Sequence, residues 1–416
     1  YRIRFLTIPI SSIAALFITF IIIVNVSTTF AMACGRIPLL RELTADVAFS
    51  PSLSAAVENQ YVQPIDLEQS ENGITMRVEY VIVDQKQLNI FYSLHAQSYS
   101  HMHITPFISN PDGTPLEGYG IVQPDYDAPN GALRQITVDF VDRNTPGSLA
   151  LECKAWDNGS DAMDTSAPPD PAHTEKSGEP DTISTFHFIL NFDPTYTQKG
   201  EVIDLNQKFV LDGQHLTVTT VEIYPTHICL NLADDESNTA WLKALTFFLE
   251  DEKGKRFEAI GNGIAATGSA NSPFMALHRL ESSFFSESRN LTLYITGAVW
   301  LDKNMERIQV DLANCKAERL PEGVTFLQSV RNGNDWNLTF SSSERKANNA
   351  CQLFGTEYYD EKGNKYDFGS WSTLLETPGA FTVQFSLKDY PFDTVYLSPS
   401  FSHTVTLAEP IEIKVK

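Results

Sequence analysis

The sequence predicts an all-β chain, with tandem β-sandwiches standing behind one N-terminal transmembrane helix. Three observations carry that prediction. They are an uncharged apolar run from Phe5 to Val24, long stretches where apolar and polar residues alternate, and turn glycines that recur at matching intervals.

The run reads FLTIPISSIAALFITFIIIV, and a stretch of ~20 apolar residues fits the hydrocarbon core of a bilayer. Pro9, Ser11 and Ser12 are tolerated inside a membrane helix. Arg2 and Arg4 precede the run and the next charge is Arg36. Basic residues mark the cytoplasmic flank, so the part after the span is expected outside the cytoplasm, on a single-pass protein of the cell membrane. The alternative is a cleaved signal, because Ala31-Met32-Ala33 has the small-x-small pattern of a cleavage site. The run is longer than the ~7–15 residues usual for such signals, so a retained anchor is the reading adopted. The first residue is Tyr1, and a cytoplasmic segment is expected before it.

About 380 residues follow the span, enough for two to four domains of ordinary size. The net charge is −22; without Arg2 and Arg4, the part beyond the span carries −24. Such a surface disfavours nucleic acid and anionic lipid headgroups as partners. The five cysteines are scattered singly, at Cys34, Cys153, Cys229, Cys315 and Cys351, with no CxxC and no disulfide framework. Cys229 falls in an alternating pattern and reads as a buried thiol. Cys315 and Cys351 share the last expected domain and are the pair available for a bridge.

Residues 25–60 read as a juxtamembrane helical segment. One helix is expected over Ile37 to Ala48, and a second from Pro51 behind the N-cap candidate Ser50. From there the period changes to two. Ile74, Met76, Val78 and Tyr80 alternate with Thr75, Arg77 and Glu79, and Leu88 to Leu94 forms a second such run. Asn110-Pro111-Asp112-Gly113 is a strong turn signal. Further strands are expected at Ile136 to Val141, Leu149 to Lys154 and Phe186 to Phe192. Asp157 to Thr182 is rich in Asp, Ser, Pro and Gly and reads as a mobile insert in the first domain.

The succession recurs. Gly73, Gly213 and Gly323 are expected to open three copies, and Gly113, Gly254 and Gly363 follow 40, 41 and 40 residues later. Strand pairs Leu88 to Leu94, Ile228 to Leu232 and Trp336 to Phe340 lie between them. The later turns LEDEKG and YYDEKG are near copies. Short strands and frequent turns over about 100–130 residues per copy point to sandwiches of immunoglobulin-like type. The expected domains are 61–192, 193–312 and 313–416.

The stretch from Asn25-Val26-Ser27 through Ala31-Met32-Ala33, Ile37-Pro38 and Ala55-Ala56-Val57-Glu58-Asn59 to Tyr61-Val62-Gln63-Pro64-Ile65, with Asn72-Gly73-Ile74-Thr75 and Val81-Ile82-Val83-Asp84, resembles a bacterial membrane family called domain of unknown function 4179. The second copy, with Tyr224-Pro225-Thr226 and the Asp251-Glu252-Lys253-Gly254 turn, is similar to the immunoglobulin-like domain of unknown function 5643. The resemblance implies an anti-sigma-factor-like membrane regulator with a short cytoplasmic segment before the span. Under it, the expected partners are the lipid bilayer, a cytoplasmic sigma factor, and an envelope protein or cell-wall ligand. No functional residue is carried over.

Patterns for enzyme chemistry are weak. His101 and His103, with His95 nearby, would share one face of a strand, but no acidic or cysteine ligand completes a metal set. Asp251-Glu252 and Asp360-Glu361 read as hairpin tips rather than calcium loops. Gly261-Asn262-Gly263 lacks the Lys-Ser/Thr of a phosphate loop. Ser343 and Lys346 have SxxK spacing without partner motifs. Asn290 and Asn337 match a glycosylation pattern and read equally as strand residues. No catalytic, cofactor-binding or metal residue is therefore assigned, and no cofactor or enzymatic activity is expected. The functional expectation is the sensing or relay part of an envelope regulator, with a surface-anchored binding or adhesive stalk as the alternative.

Overall fold

The computed structural model describes residues 43, 47, 50–99, 102–123, 128–141, 145–157, 181–197, 199–260, 278–343, 353–368, 370–377 and 380–416. The expected span with its ends Phe5 and Val24, most of the first helix, and nearly all of the insert at 157–182 lie outside the described residues. No described helix is long and apolar enough to cross a membrane. The fold is all-β and sandwich-like, built of antiparallel sheets. The chain divides into two units, Tyr1–Lys199 and Gly200–Lys416.

In the first unit α1 (Pro51–Glu58) starts where Ser50 caps it, the Ser50 hydroxyl accepting from Leu53 N–H at 3.3 Å. Leu53 and Ala56 face inward. β1 (Gln63–Glu71) and β2 (Ile74–Val83) form a hairpin about Gly73, and β3 (Gln87–Ala96) follows. β4 (Met102–Ser109), β5 (Tyr119–Val122), β6 (Leu133–Phe140), β7 (Ser148–Asp157) and β8 (Ser184–Asn191) complete the unit. One sheet runs β1-β2-β3-β6-β5 and the other β4-β7-β8. The alternation does the sorting: Ile74, Met76 and Val78 from β2 meet Leu149, Leu151 and Cys153 from β7 and Phe186, Phe188 and Leu190 from β8 in one core. Burial pushes the Cys153 thiol far up, so it stays protonated.

The open side of this sandwich is closed by side chains. From β1, Gln69 donates to His187 carbonyl at 2.6 Å and accepts from His187 N–H at 3.0 Å. Gln63 does the same for Asn191 and Asp193, at 2.8 and 2.9 Å. Amides thus occupy backbone groups of β8 and of Asp193 just after it that would otherwise stand open at the sheet edge.

The second unit begins with β9 (Glu201–Leu211), β10 (Gln214–Ile223) and β11 (Ile228–Asp234). β12 (Ala240–Asp251), β13 (Arg256–Glu258), β14 (His278–Leu280) and β15 (Leu291–Asp302) follow. Next come β16 (Ile308–Asp311), β17 (Lys316–Ala317), β18 (Val324–Asn332), β19 (Asp335–Ser342), β20 (Phe354–Tyr359) and β21 (Lys365–Asp367). β22 (Ser370–Thr377), β23 (Ala380–Leu387), β24 (Thr394–Pro399) and β25 (His403–Lys414) end the chain. Sheets β14-β11-β10-β9 and β13-β12-β15-β25 enclose one core, around Trp300, Val218 and Leu293. Sheets β18-β19-β23-β22 and β17-β16-β24-β20-β21 enclose another, around Phe340, Phe385 and Leu397.

Two details differ from the expected repeat. The turn equivalent to Gly73 and Gly213, between the first two strands of a copy, is at Gly333 rather than Gly323, and all three have positive φ. Gly333 therefore stands 30 residues before Gly363, where the other copies have 40 and 41. Among the described residues β3 and β11 have no counterpart after β19, and β23 pairs directly with β19. Trp336 to Phe340 accordingly belongs to the strand that matches β2 and β10. The expected boundary at 312 and 313 is also crossed, because the last strand, β25, pairs with β15.

Candidate functional site

The residues singled out by spacing are not gathered by the fold. His103 is buried and stacked on Trp156, with centroids 4.7 Å apart, while His95 is exposed and His101 lies outside the described residues. Among the described residues no group of three His, Cys, Asp or Glu is placed to hold a metal. Asp251 and Asp360 are occupied by their own turns. Burial raises the pKa of Asp251, but the Ser288 hydroxyl and the N–H groups of Lys255 and Lys253 outweigh it and hold the carboxyl below its usual range. Asp360 is treated alike by the Asn364 side chain and the N–H groups of Asn364 and Lys362. Lys346, Cys351 and Gly261 to Gly263 lie outside the described residues, and Cys315 carries a free thiol.

A buried polar cluster forms at the Tyr224-Pro225-Thr226-His227 turn. Tyr224 donates to Glu222 at 2.6 Å and Asn231 to the other oxygen of Glu222 at 2.8 Å. His227 is fully buried between the Thr226 hydroxyl at 2.7 Å and the Cys229 sulfur at 3.1 Å. Every member has a partner, so the cluster fixes the β10–β11 turn. Cys229 is the buried thiol its alternation predicts.

A different surface is open to a ligand. The outer face of the β18-β19-β23-β22 sheet holds a shallow groove of about 380 Å³. Gln328 and Val330 on β18, Asn337 and Thr339 on β19, Gln384 and Ser386 on β23, and Ser372 on β22 line it, and none is charged. Ser386 donates to the Asn337 amide oxygen. The side chains of Gln328, Thr339 and Gln384 have no hydrogen-bond partner among the described residues. Charges stand at one end of the sheet, where Lys388 meets Asp335 at 3.8 Å and Arg331 meets Asp393 at 3.3 Å. The matching face in the first unit is charged, with Arg77 among Asp66, Glu68 and Glu79.

Aromatic rings underlie the groove. Phe340 and Phe385 stack at 5.5 Å beneath it, and Phe354 packs edge-on to Phe340 at 4.8 Å. Beyond them Tyr358, Tyr366 and Tyr390 form a second aromatic group, where burial raises the Tyr358 pKa to about 12. Alternation predicts Asn337, Thr339, Gln384 and Ser386 as outward residues, but not that β19 and β23 lie side by side. The signal that was available is the missing charge in both runs.

No curated protein matches the chain. Among solved structures, a conserved domain protein from Bacillus anthracis is 13% identical, with 64% of this chain and 82% of that one covered, at a TM-score of 0.40. The GAE domain of yeast GGA1 is 12% identical over 32% of this chain and 100% of that one, at a TM-score of 0.19. Residues 3–96 match the model described as Domain of unknown function (DUF4179), and residues 200–322 match the Family of unknown function (DUF5643). This chain therefore joins a DUF4179 segment to a DUF5643 segment, in that order.

Proposed function

We propose that this chain is the extracytoplasmic part of an anti-sigma-factor-like envelope regulator, anchored by a transmembrane helix over Phe5 to Val24. Its immunoglobulin-like sandwiches receive an envelope signal and relay it to a cytoplasmic sigma factor. The uncharged run behind Arg2 and Arg4 supports the topology. The observation that carries the sensing role is the charge-free groove on the last sheet. A recessed face of uncharged amides and hydroxyls over an aromatic floor suits a neutral, hydrogen-bonding partner, such as an uncharged stretch of cell-wall polymer. The −22 net charge disfavours a polyanion there.

The test uses the full chain in its own cells. A cysteine at residue 2 should resist an impermeant thiol reagent, while one at Ser372 should react; the reverse pattern would overturn the topology. The Thr339→Lys, Gln384→Lys double variant places two charges in the groove. It should abolish the envelope-stress response of a sigma-dependent reporter at unchanged protein level. An unchanged response would remove the groove from the pathway. A reporter indifferent to deleting the chain altogether would overturn regulation and leave the adhesive stalk.

A further inference from the structure

The first unit shows what closes a copy of this sandwich: β8, the strand that follows β7, turns back and pairs with it. By position in their sheets β15 and β24 are the counterparts of β7, since they pair with β12 and β20 as β7 pairs with β4. The strand that follows β15 is β16, yet β16 pairs with β24. The strand that follows β24 is β25, yet β25 pairs with β15. The DUF5643 match over 200–322 includes β16 and the short β17 beside it and excludes β25, so the sequence unit carries strands that pair in the neighbouring sandwich and lacks the strand that pairs with its own β15. We infer that the last two sandwiches have exchanged their closing strands reciprocally within one chain, and that the exchange latches them into a single cooperative unit.

Both crossing segments enter both cores. On the first, Leu293, Ile295 and Trp300 pack in the second core, while Val299, Leu301, Met305, Ile308 and Val310 pack in the third. On the other, Val395, Leu397 and Phe401 sit in the third core, and Ile413 and Val415 in the second. The segments meet at Ser402. Its N–H donates to Trp300 carbonyl at 2.6 Å, and its hydroxyl accepts from Asp302 N–H at 3.0 Å. Its carbonyl accepts from Glu322 N–H at 2.7 Å. His403 next to it reaches Asp212 at 2.8 Å. Only Ser400, Phe401 and Ser402 separate β24 from β25, a length that would also serve a hairpin, yet β25 continues through this junction onto β15.

Gly297 allows the close approach of the donated strand, since a Cβ there would meet Val405 carbonyl oxygen at 2.4 Å. The Gly297→Val variant of the full chain should lift β25 and be read by hydrogen exchange. If the exchange couples the sandwiches, amide protection falls together in β9 to β15 and in β18 to β24, although Gly297 packs in neither β18 nor β24. Loss confined to β9 to β15 would overturn the inference. Should Gly297→Val fail to fold, a Val299→Cys, Thr404→Cys crosslink between paired residues of β15 and β25 decides. Once the bond is confirmed by mass spectrometry, protection should rise in both sandwiches. A gain in one alone would overturn the latch.

Discussion

His278 sits on β14 with its ring edge-on to Phe247, centroids 5.6 Å apart, and burial lowers its pKa to about 4. Unfolded, the imidazole titrates near 6.5. Between those values the unfolded chain binds a proton that the folded chain refuses. Stability therefore falls as pH drops from about 6.5 to about 4 and is unaffected above that window. The full difference corresponds to about 3 kcal/mol, and the half-buried state of the residue reduces it to about 2. His278→Gln should flatten the pH dependence of the denaturant midpoint across that window; an unchanged slope would show that the ring is not its source. Asp251 and Asp360 act in a different range, because their lowered pKa values supply stability that is lost only as pH falls below the usual carboxylate value near 3.8. Backbone strain gives a second test at this scale. Gly333 and Gly363 have φ of +63° and +81° with open space where a Cβ would stand, so valine there is penalised by conformation alone. Each substitution should destabilise by more than ~1 kcal/mol in a urea melt.

Among the elements, β2 and β7 were legible because a sandwich strand faces a core on one side only, which writes burial into the sequence at period two. Ile74, Met76 and Val78 declare it, as do Leu149, Leu151 and Cys153. Trp336, Leu338 and Phe340 declare it equally, yet their alternation does not say which neighbour β19 has. The same spacing fits a second or a third strand, and only the direct pairing of β19 with β18 and β23 shows that the opening turn is Gly333 and not Gly323. The groove was illegible for a related reason, since β19 and β23 pair residues 39 to 51 positions apart in the chain. The clip on β8 is equally non-local, and it is testable. Gln69→Ala removes both bonds to His187, each worth ~0.5–1.5 kcal/mol at most in this exposed setting. Amide exchange at His187 should accelerate while the β2 amides stay protected. Equal loss in both would mean that the sandwich opens as a whole rather than at its edge.

For the whole molecule, the strand that ends the chain returns to where the second unit starts. Lys416 Nζ lies 2.7 Å from a Glu201 carboxyl oxygen, and Lys416 carbonyl accepts from Leu291 N–H at 2.9 Å. In the arrangement expected from sequence, with separate second and third sandwiches in line, these two ends would stand a domain apart. The path of the second unit is instead nearly a closed ring, and where a ring is cut matters little to its contacts. A circular permutant should therefore fold. Joining Lys416 to Glu201 through a few glycines and opening the chain at the exposed Ala313-Asn314 turn should retain the circular dichroism and the single unfolding step of the natural order. A broad, two-step melt would show that chain order, and not only contact, maintains the pairing. Anything fused after Lys416 would likewise emerge beside Glu201, where the second unit begins, so entry to and exit from that unit share one place.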